Sequence, residues 1–255
     1  MKILLANDDG IYSEGIFALY NELIKFADVT VVAPIAEQSA VGHAITISDP
    51  LQVTEFYKFG KFFGYGIKGT PADCVKIAVT NIMGEMPDLV VSGINHGANV
   101  ASNVIYSGTV SAATEGAMLG VRSIAVSLAT KEKCDFTPAA EVGAYFAKYL
   151  HKSDMPNDTT LNINVPPVSK KEIKGWRFAK QGQSRFLDSF EKRKHPRGGN
   201  YYWLMGERKE MEMTSDCDEY MIENNYVSVT PLMFDMTDYG MYNQLKATEG
   251  EGEFN

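Results

Sequence analysis

Apolar positions in the first 165 residues follow two alternating patterns. Short continuous runs at Lys2 to Ala6, Val29 to Ala33, Leu89 to Ser92 (within 88–94) and Ile124 to Leu128 read as strands covered on both faces. The intervening segments have helical spacing. Residues 14–27 bring Ile16, Leu19, Tyr20, Leu23, Ile24 and Ala27 to one face, residues 109–119 are rich in alanine, and 138–151 is amphipathic. Thr70-Pro71-Ala72-Asp73 predicts a helix start, with Thr as cap, Pro at the first helical position and Asp three residues on to close a capping box. Strands alternating with helices imply crossover connections and a mostly parallel sheet with helices on both faces, a doubly wound α/β layer over residues 1 to about 165.

The pattern changes after Pro166-Pro167. Trp176 to Ala179, Tyr201 to Met205 and Tyr226 to Val229 read as strands without long helices between them, and Gly198-Gly199 marks a turn. This predicts a β-hairpin arm and C-terminal segment over 166–248. The aromatic strands of this stretch need cover, from another subunit or from the main sheet. The tail 249–255, with Glu249-Gly250-Glu251-Gly252-Glu253, reads as disordered. The whole, 1–255, is expected to form one domain.

Composition narrows the function. Of 255 residues 45% are hydrophobic and 22% charged, with a formal net charge of −8, which argues against a protein whose main partner is a nucleic-acid backbone. Cys74, Cys134 and Cys217 form no CxxC, so neither a disulfide scaffold nor a cysteine zinc site is expected. No run suits a membrane span and no signal peptide is legible, so a soluble cytoplasmic protein is the expectation. Residues 170–210 are an exception in charge, with 12 Lys and Arg against 5 Asp and Glu. They read as a solvated arm or as a positive rim that attracts phosphorylated substrates.

Ligands of open α/β sheets bind at the carboxyl ends of strands. Asn7, Asp8, Asp9 and Gly10 follow the first strand, Ser39 lies five residues beyond Pro34, and Asn95, His96, Gly97 and Asn99 follow the 88–94 strand. Adjacent carboxylates repel unless a positive charge sits between them. Carboxylate, hydroxyl and amide oxygens suit Mg²⁺, Mn²⁺ or Ca²⁺. Taken alone, Asp-Asp-Gly reads as a turn, Ser39 as a loop residue and Asn95 as a turn cap. Their shared position at strand ends is what favours a metal. Ser107-Gly108-Thr109 opens the small-residue helix and forms either a phosphate cradle or an ordinary cap. His96, directly after Asn95, reads either as a substrate contact or as a hydrogen-bonded surface histidine. Gly64 to Gly69 matches GxGxxG, but Pro71 would fall inside the helix a dinucleotide fold requires, so the match is discounted.

Five of these motifs, in order, resemble the SurE survival-protein family: Asn7-Asp8-Asp9-Gly10; Val32-Ala33-Pro34 with Ser39; Gly69 to Val75; Ser92-Gly93-Ile94-Asn95-His96-Gly97; and Tyr106 to Val110. Asn162 to Pro166 and Gly175-Trp176-Arg177 also fit. The resemblance covers nearly the whole chain and is weakest over the last fifty or so residues. It implies a Rossmann-like α/β domain with a hairpin arm, and dimers or tetramers formed through exchanged C-terminal segments. The implied activity is that of a 5′/3′-nucleotidase, a metal-dependent phosphatase of nucleoside monophosphates, with some members trimming short polyphosphate. The implied metal ligands are Asp8, Asp9, Ser39 and Asn95, holding one Mg²⁺ or Mn²⁺. Ser107, Gly108 and Thr109 are the implied phosphate contacts, and Asn99 joins them as a candidate substrate contact. Asp9 is the expected residue to orient or deprotonate the attacking water. Ala40 stands where the family commonly has Gly, Ser111 where Gly is frequent, and Ala98 and Asn103 also depart from the pattern. Two rival readings stand beside it: a nucleotide-binding stress-response module without catalysis, and a nicotinamide-dependent oxidoreductase.

Overall fold

The computed structural model describes residues 1–209 and 213–247. A nine-stranded sheet carries the fold. Its first strand, β1 (Lys2–Ala6), is flanked by β2 (Asp28–Pro34) on one side and β5 (Leu89–His96) on the other, both parallel to it. The chain therefore reverses its winding direction at β1, and the β1/β5 boundary is the topological switch point where such sheets bind ligands. Outward from β5 come β6 (Ser123–Leu128), β7 (Thr160–Val165), β11 (Val227–Leu232) and β8 (Trp176–Phe178). Outward from β2 come β4 (Lys61–Lys68) and β3 (Gln52–Lys58). The β3/β4 and β7/β11 pairings are antiparallel and the rest parallel.

Both faces are covered, as the continuous apolar runs require. On one face Ile3, Leu5, Val91 and Val126 pack against α1 (Glu14–Leu23) and α5 (Thr137–Lys152) through Ile16, Leu19, Phe146 and Ala147. On the other, Leu4, Ala6 and Val90 meet α2 (Pro71–Ile77) and α4 (Gly108–Met118) through Cys74, Val75 and Ala112. The small residues of α4 set how close it comes. A Cβ on Gly116 would lie 2.7 Å from Val90 Cγ2 and 2.6 Å from Ser123 Oγ, so only glycine lets the helix rest on the sheet at that point.

Local signals act as the sequence reading expects at α2, where Thr70 and Asp73 complete the capping box with Pro71 in the first turn. The first helix is shorter than 14–27. It ends at Leu23, whose carbonyl accepts from Phe26 N and Ala27 N, and the resulting turn delivers Asp28 to pair with Met1 O. The hairpin β3–β4 was not foreseen. It takes up Gly64 and Gly66 of the GxGxxG run, and Gly64 lies in a strand interior where a Cβ would be 2.4 Å from Val31 O. Those glycines serve strand packing, not a pyrophosphate turn.

The aromatic strands beyond residue 166 differ in their cover. β8 and β11 complete the main sheet, and Trp176 packs edge-on against Phe146 at 5.6 Å. In contrast, β9 (Arg185–Lys194) and β10 (Asn200–Lys209) form a separate ten-rung antiparallel ribbon closed by Gly198 and Gly199, both at positive φ. Phe190, Tyr202, Trp203 and Leu204 are exposed on it. Two further helices follow, α6 (Asp218–Glu223), whose Asp218, Glu219 and Met221 are buried, and α7 (Tyr239–Lys246), which buries none of its residues. A four-residue helix, α3 (Asn103–Tyr106), precedes α4. The tail 249–255 lies outside the described residues. Among the described residues no helix is long and apolar enough to cross a membrane.

Candidate functional site

The strand ends at the switch point bring most of the candidate residues together. β1 runs directly into Asn7-Asp8-Asp9-Gly10, and Gly10 at φ +89 turns the chain away. Buried Asn7 fixes this turn, donating from Nδ2 to Gly10 O (2.9 Å) and Ser13 Oγ (2.8 Å). Three segments then close on the two carboxylates. From α4, the Thr109 hydroxyl donates to Asp8 Oδ1, and Gly108 lies so close that a Cβ there would be 2.7 Å from Asp8 Cβ. From the loop after β2, Gln38 N donates to Asp8 O at 2.8 Å, which brings the neighbouring Ser39 to the same edge. From the end of β5, His96 N donates to Asp9 Oδ2 at 3.1 Å.

Electrostatics explain what such a pair lacks. Asp8 is buried, and its carboxyl is pushed up to about 6, chiefly by burial and further by the Asp9 charge; the Thr109 hydroxyl and backbone N–H partly oppose this. Asp9 is also raised, by burial first and then by Glu37, against the pull of the His96 N–H. Among the described residues neither carboxylate forms an ion pair with a Lys or Arg. Two adjacent acids without a basic partner, beside a helix N-terminus already committed to one of them, fit a hard divalent cation. Asn95 suits the same role. Its Nδ2 donates to Gly97 O (2.7 Å), which leaves its acceptor oxygen Oδ1 for another partner. Ser39 is exposed and its hydroxyl donates to Glu37 Oε1. The next residue, Ala40, sits at φ +57, a backbone region that favours glycine.

The loop that carries Ser39, residues 35–51, has no regular structure, and it is held by side chains that sequence reasoning did not single out. Thr46 donates to both oxygens of Asp73, from N to Oδ1 (2.9 Å) and from Oγ1 to Oδ2 (2.6 Å), so the capping residue of α2 also anchors this loop. His43 Nε2 pairs with Glu115 Oε2 at 2.8 Å, and Lys76 Nζ reaches Glu115 Oε1 at 2.6 Å. Glu115 is almost wholly buried in α4. Burial raises its carboxyl, but the His43 and Lys76 contacts outweigh that and leave it lowered, hence charged. A Glu amid the small residues of the 109–119 helix is the sequence signal that marked this anchor.

Two candidates occupy other positions. Asn99 does not turn its amide to the carboxylates. Its Nδ2 donates to Ser127 Oγ (2.9 Å), while its backbone is bound by Asn162 and Asn164 of β7. The alternating asparagines of an otherwise apolar strand were the available clue. His96 is exposed, with Nε2 against Glu132 O at 2.8 Å. A separate cluster, Cys217, Asp218 and Glu219, has metal-like proximity, but the Asp218 oxygens are taken by backbone N–H groups of Ala101, Gly182 and Glu219.

Fold and site together define a doubly wound α/β protein with an acidic, oxygen-rich site at its switch point. Residues 3–188 match the family described as survival protein SurE, and the chain belongs to that family. It is 50% identical to a protein of Syntrophus aciditrophicus (strain SB) named 5′-nucleotidase SurE, over 97% of this chain and 93% of that one. It is 48% identical to a protein of the same name from Natranaerobius thermophilus, over 98% and 99%. The crystal structure of SurE protein from Aquifex aeolicus superposes with a TM-score of 0.85 at 38% identity, covering 98% of this chain and all of that one.

Proposed function

We propose that this chain hydrolyses nucleoside 5′- and 3′-monophosphates to nucleoside and phosphate with one divalent cation, Mg²⁺ or Mn²⁺, and that short polyphosphate is a further substrate. The observation that carries this reading is the pair of adjacent, burial-perturbed carboxylates Asp8 and Asp9, without a Lys or Arg partner among the described residues, packed against the first turn of α4. A pure anion binder has no use for two carboxylates beside its phosphate. The names of the close relatives point the same way.

Asp8, Asp9, Ser39 and Asn95 would hold the ion, which when bound supplies neutralisation of charge on the phosphoryl oxygens. Asp9 is fixed by the His96 N–H, and we assign it the orienting and deprotonation of the attacking water. Ser107, Gly108 and Thr109 line the phosphoryl group at the N-terminus of α4, where the helix dipole favours negative charge. Thr109 contributes in part through Asp8, whose carboxylate its hydroxyl orients.

The reading extends to assembly and place. We take 1–255 as one domain acting as a homodimer or homotetramer. The support is the exposed apolar side chains of the β9–β10 ribbon and of α7 and its approach, including Phe190, Trp203, Leu204, Met236, Tyr242 and Leu245. Three free cysteines fit a reducing cytoplasm. Phosphate release from a panel of 5′- and 3′-nucleotides and tripolyphosphate tests the function. Turnover of the monophosphates supports it, whereas nucleotide binding without any release would favour the non-catalytic module.

A further inference from the structure

The loop joining Asn95 to α4 carries a backbone conformation it does not hold by itself. Ala101 sits at φ +49, unfavourable for a residue with a Cβ, and it is buried. Both of its peptide groups are bound by side chains from the C-terminal half of the chain. Its N–H donates to Asp218 Oδ2 at 3.1 Å and its carbonyl accepts from Gln181 Nε2 at 2.7 Å. The next residue joins the same contact, Ser102 Oγ donating to Ser184 O at 3.1 Å. Asp218 Oδ1 in turn accepts from Gly182 N and Glu219 N, both at 2.9 Å, and Ser184 Oγ donates to Glu219 Oε2 at 2.7 Å. A Cβ on Gly182 would lie 2.8 Å from Asp218 Oδ1 and 2.4 Å from Glu219 Oε2, so glycine there lets segment 181–184 lie against these two carboxylates without displacing them. Strained residues persist where surrounding contacts over-determine them, and they gather where position matters to function.

We propose that Asp218 and Gln181 are positioning residues for the hydrolytic site. They clasp Ala101 in its left-handed conformation and so fix the spacing between Asn95 and the phosphate-facing turn of α4. The clasp is read from geometry alone; what it serves rests on the function proposed above. Neither residue touches substrate. A site of this kind loses rate when supporting groups let it shift by an ångström or less.

Three variants of the full chain test it. Gln181 is exposed, so Gln181→Ala is expected to fold. It should lower kcat/KM for a nucleoside monophosphate about tenfold, mostly in kcat. Amide exchange over 100–107 should quicken by about tenfold while β1, β2 and β6 stay protected. Asp218→Asn places an amide N–H₂ against backbone donors and should do more of both. Glycine adopts positive φ freely, so adding Ala101→Gly to Gln181→Ala should recover at least half of the logarithmic loss. Gln181→Ala within about twofold of the parent in both rate and loop exchange would overturn the proposal. So would a loss that Ala101→Gly leaves untouched, or exchange that quickens throughout the sheet. A parent chain that releases no phosphate would sink the functional reading only, because the exchange measurements judge the clasp without turnover.

Discussion

The loops around Asp8 and the ribbon β9–β10 are built on opposite terms. Every segment that reaches the carboxylates is tied down by groups remote in sequence: Thr109 to Asp8, Thr46 to Asp73, His43 to Glu115, and Asn162 and Asn164 to Asn99. The ribbon has its ladder of backbone pairs but leaves Phe190, Trp203 and Leu204 in solvent. One region holds its segments in place through hydrogen bonds from distant parts of the chain. The other leaves large apolar side chains exposed. The hydrolysis proposed above demands the first arrangement and the proposed association the second.

Breaking the site should have the largest effect. Asp8→Asn keeps the shape and the Thr109 contact but removes one of the two charges the cation needs, and phosphate release should fall by on the order of a thousandfold or more. Ordinary turnover by this variant would end the assignment. Gly108→Ala comes next. Its Cβ would press on Asp8 from 2.7 Å, and the expected loss is about a hundredfold in kcat, with a folded protein by circular dichroism. A Gly108→Ala enzyme with parental kcat would show that this close approach is incidental.

The charge on Asp8 makes a third prediction, in stability. Its carboxyl sits at about 6 in the folded chain against an ordinary value of 3.8. A raised carboxyl binds its proton more tightly when folded, so it stabilises the folded state least above pH 6. EDTA-treated protein should therefore lose stability from this group as pH rises from about 4 to about 6, by on the order of 3 kcal/mol at most. The loss should fade when Mg²⁺ or Mn²⁺ is present, since the ion replaces the proton. Melting curves of the parent and of Asp8→Asn at pH 4.5 and pH 7, with and without Mn²⁺, check this, and an equal pH dependence of the two proteins in EDTA contradicts it.

Smaller effects separate anchor from arm. Thr46→Val removes a hydroxyl bond to Asp73 from the loop that holds Ser39, costing about 1 kcal/mol and raising the Mn²⁺ needed for half-maximal activity. In the ribbon, Trp203→Ser together with Leu204→Ser should leave the melting temperature of a dilute sample within a few degrees and reduce the mass seen by light scattering. A monomeric parent would remove the reason given for the exposed side chains.

The parallel layers were legible because buried parallel strands are continuous apolar runs and amphipathic helices show their period, as at Leu89–Ser92 and 138–151. Caps that act locally were legible too, with Thr70 and Asp73 the clearest case. The candidate residues at strand ends, Asp8, Asp9 and Asn95, could be brought to one edge from topology alone. The anchors were not legible, because they act over 39 to 117 positions of sequence: Glu115 stands out among small residues but nothing local names its partners His43 and Lys76, and nothing local distinguishes Asp218 and Gln181 from a solvated surface. The β3–β4 hairpin stayed hidden for a related reason. Its strand β3 is mostly exposed, so it lacks the apolar run that marks a buried strand.

The most direct test of the central claim is phosphate release from a nucleoside 5′-monophosphate by the full chain after EDTA treatment, followed by stepwise return of Mg²⁺ or Mn²⁺. The account predicts no release without the ion, recovery that saturates as one site fills, and no recovery in Asp8→Asn. Undiminished release in EDTA, or equal recovery by the parent and Asp8→Asn, would contradict it.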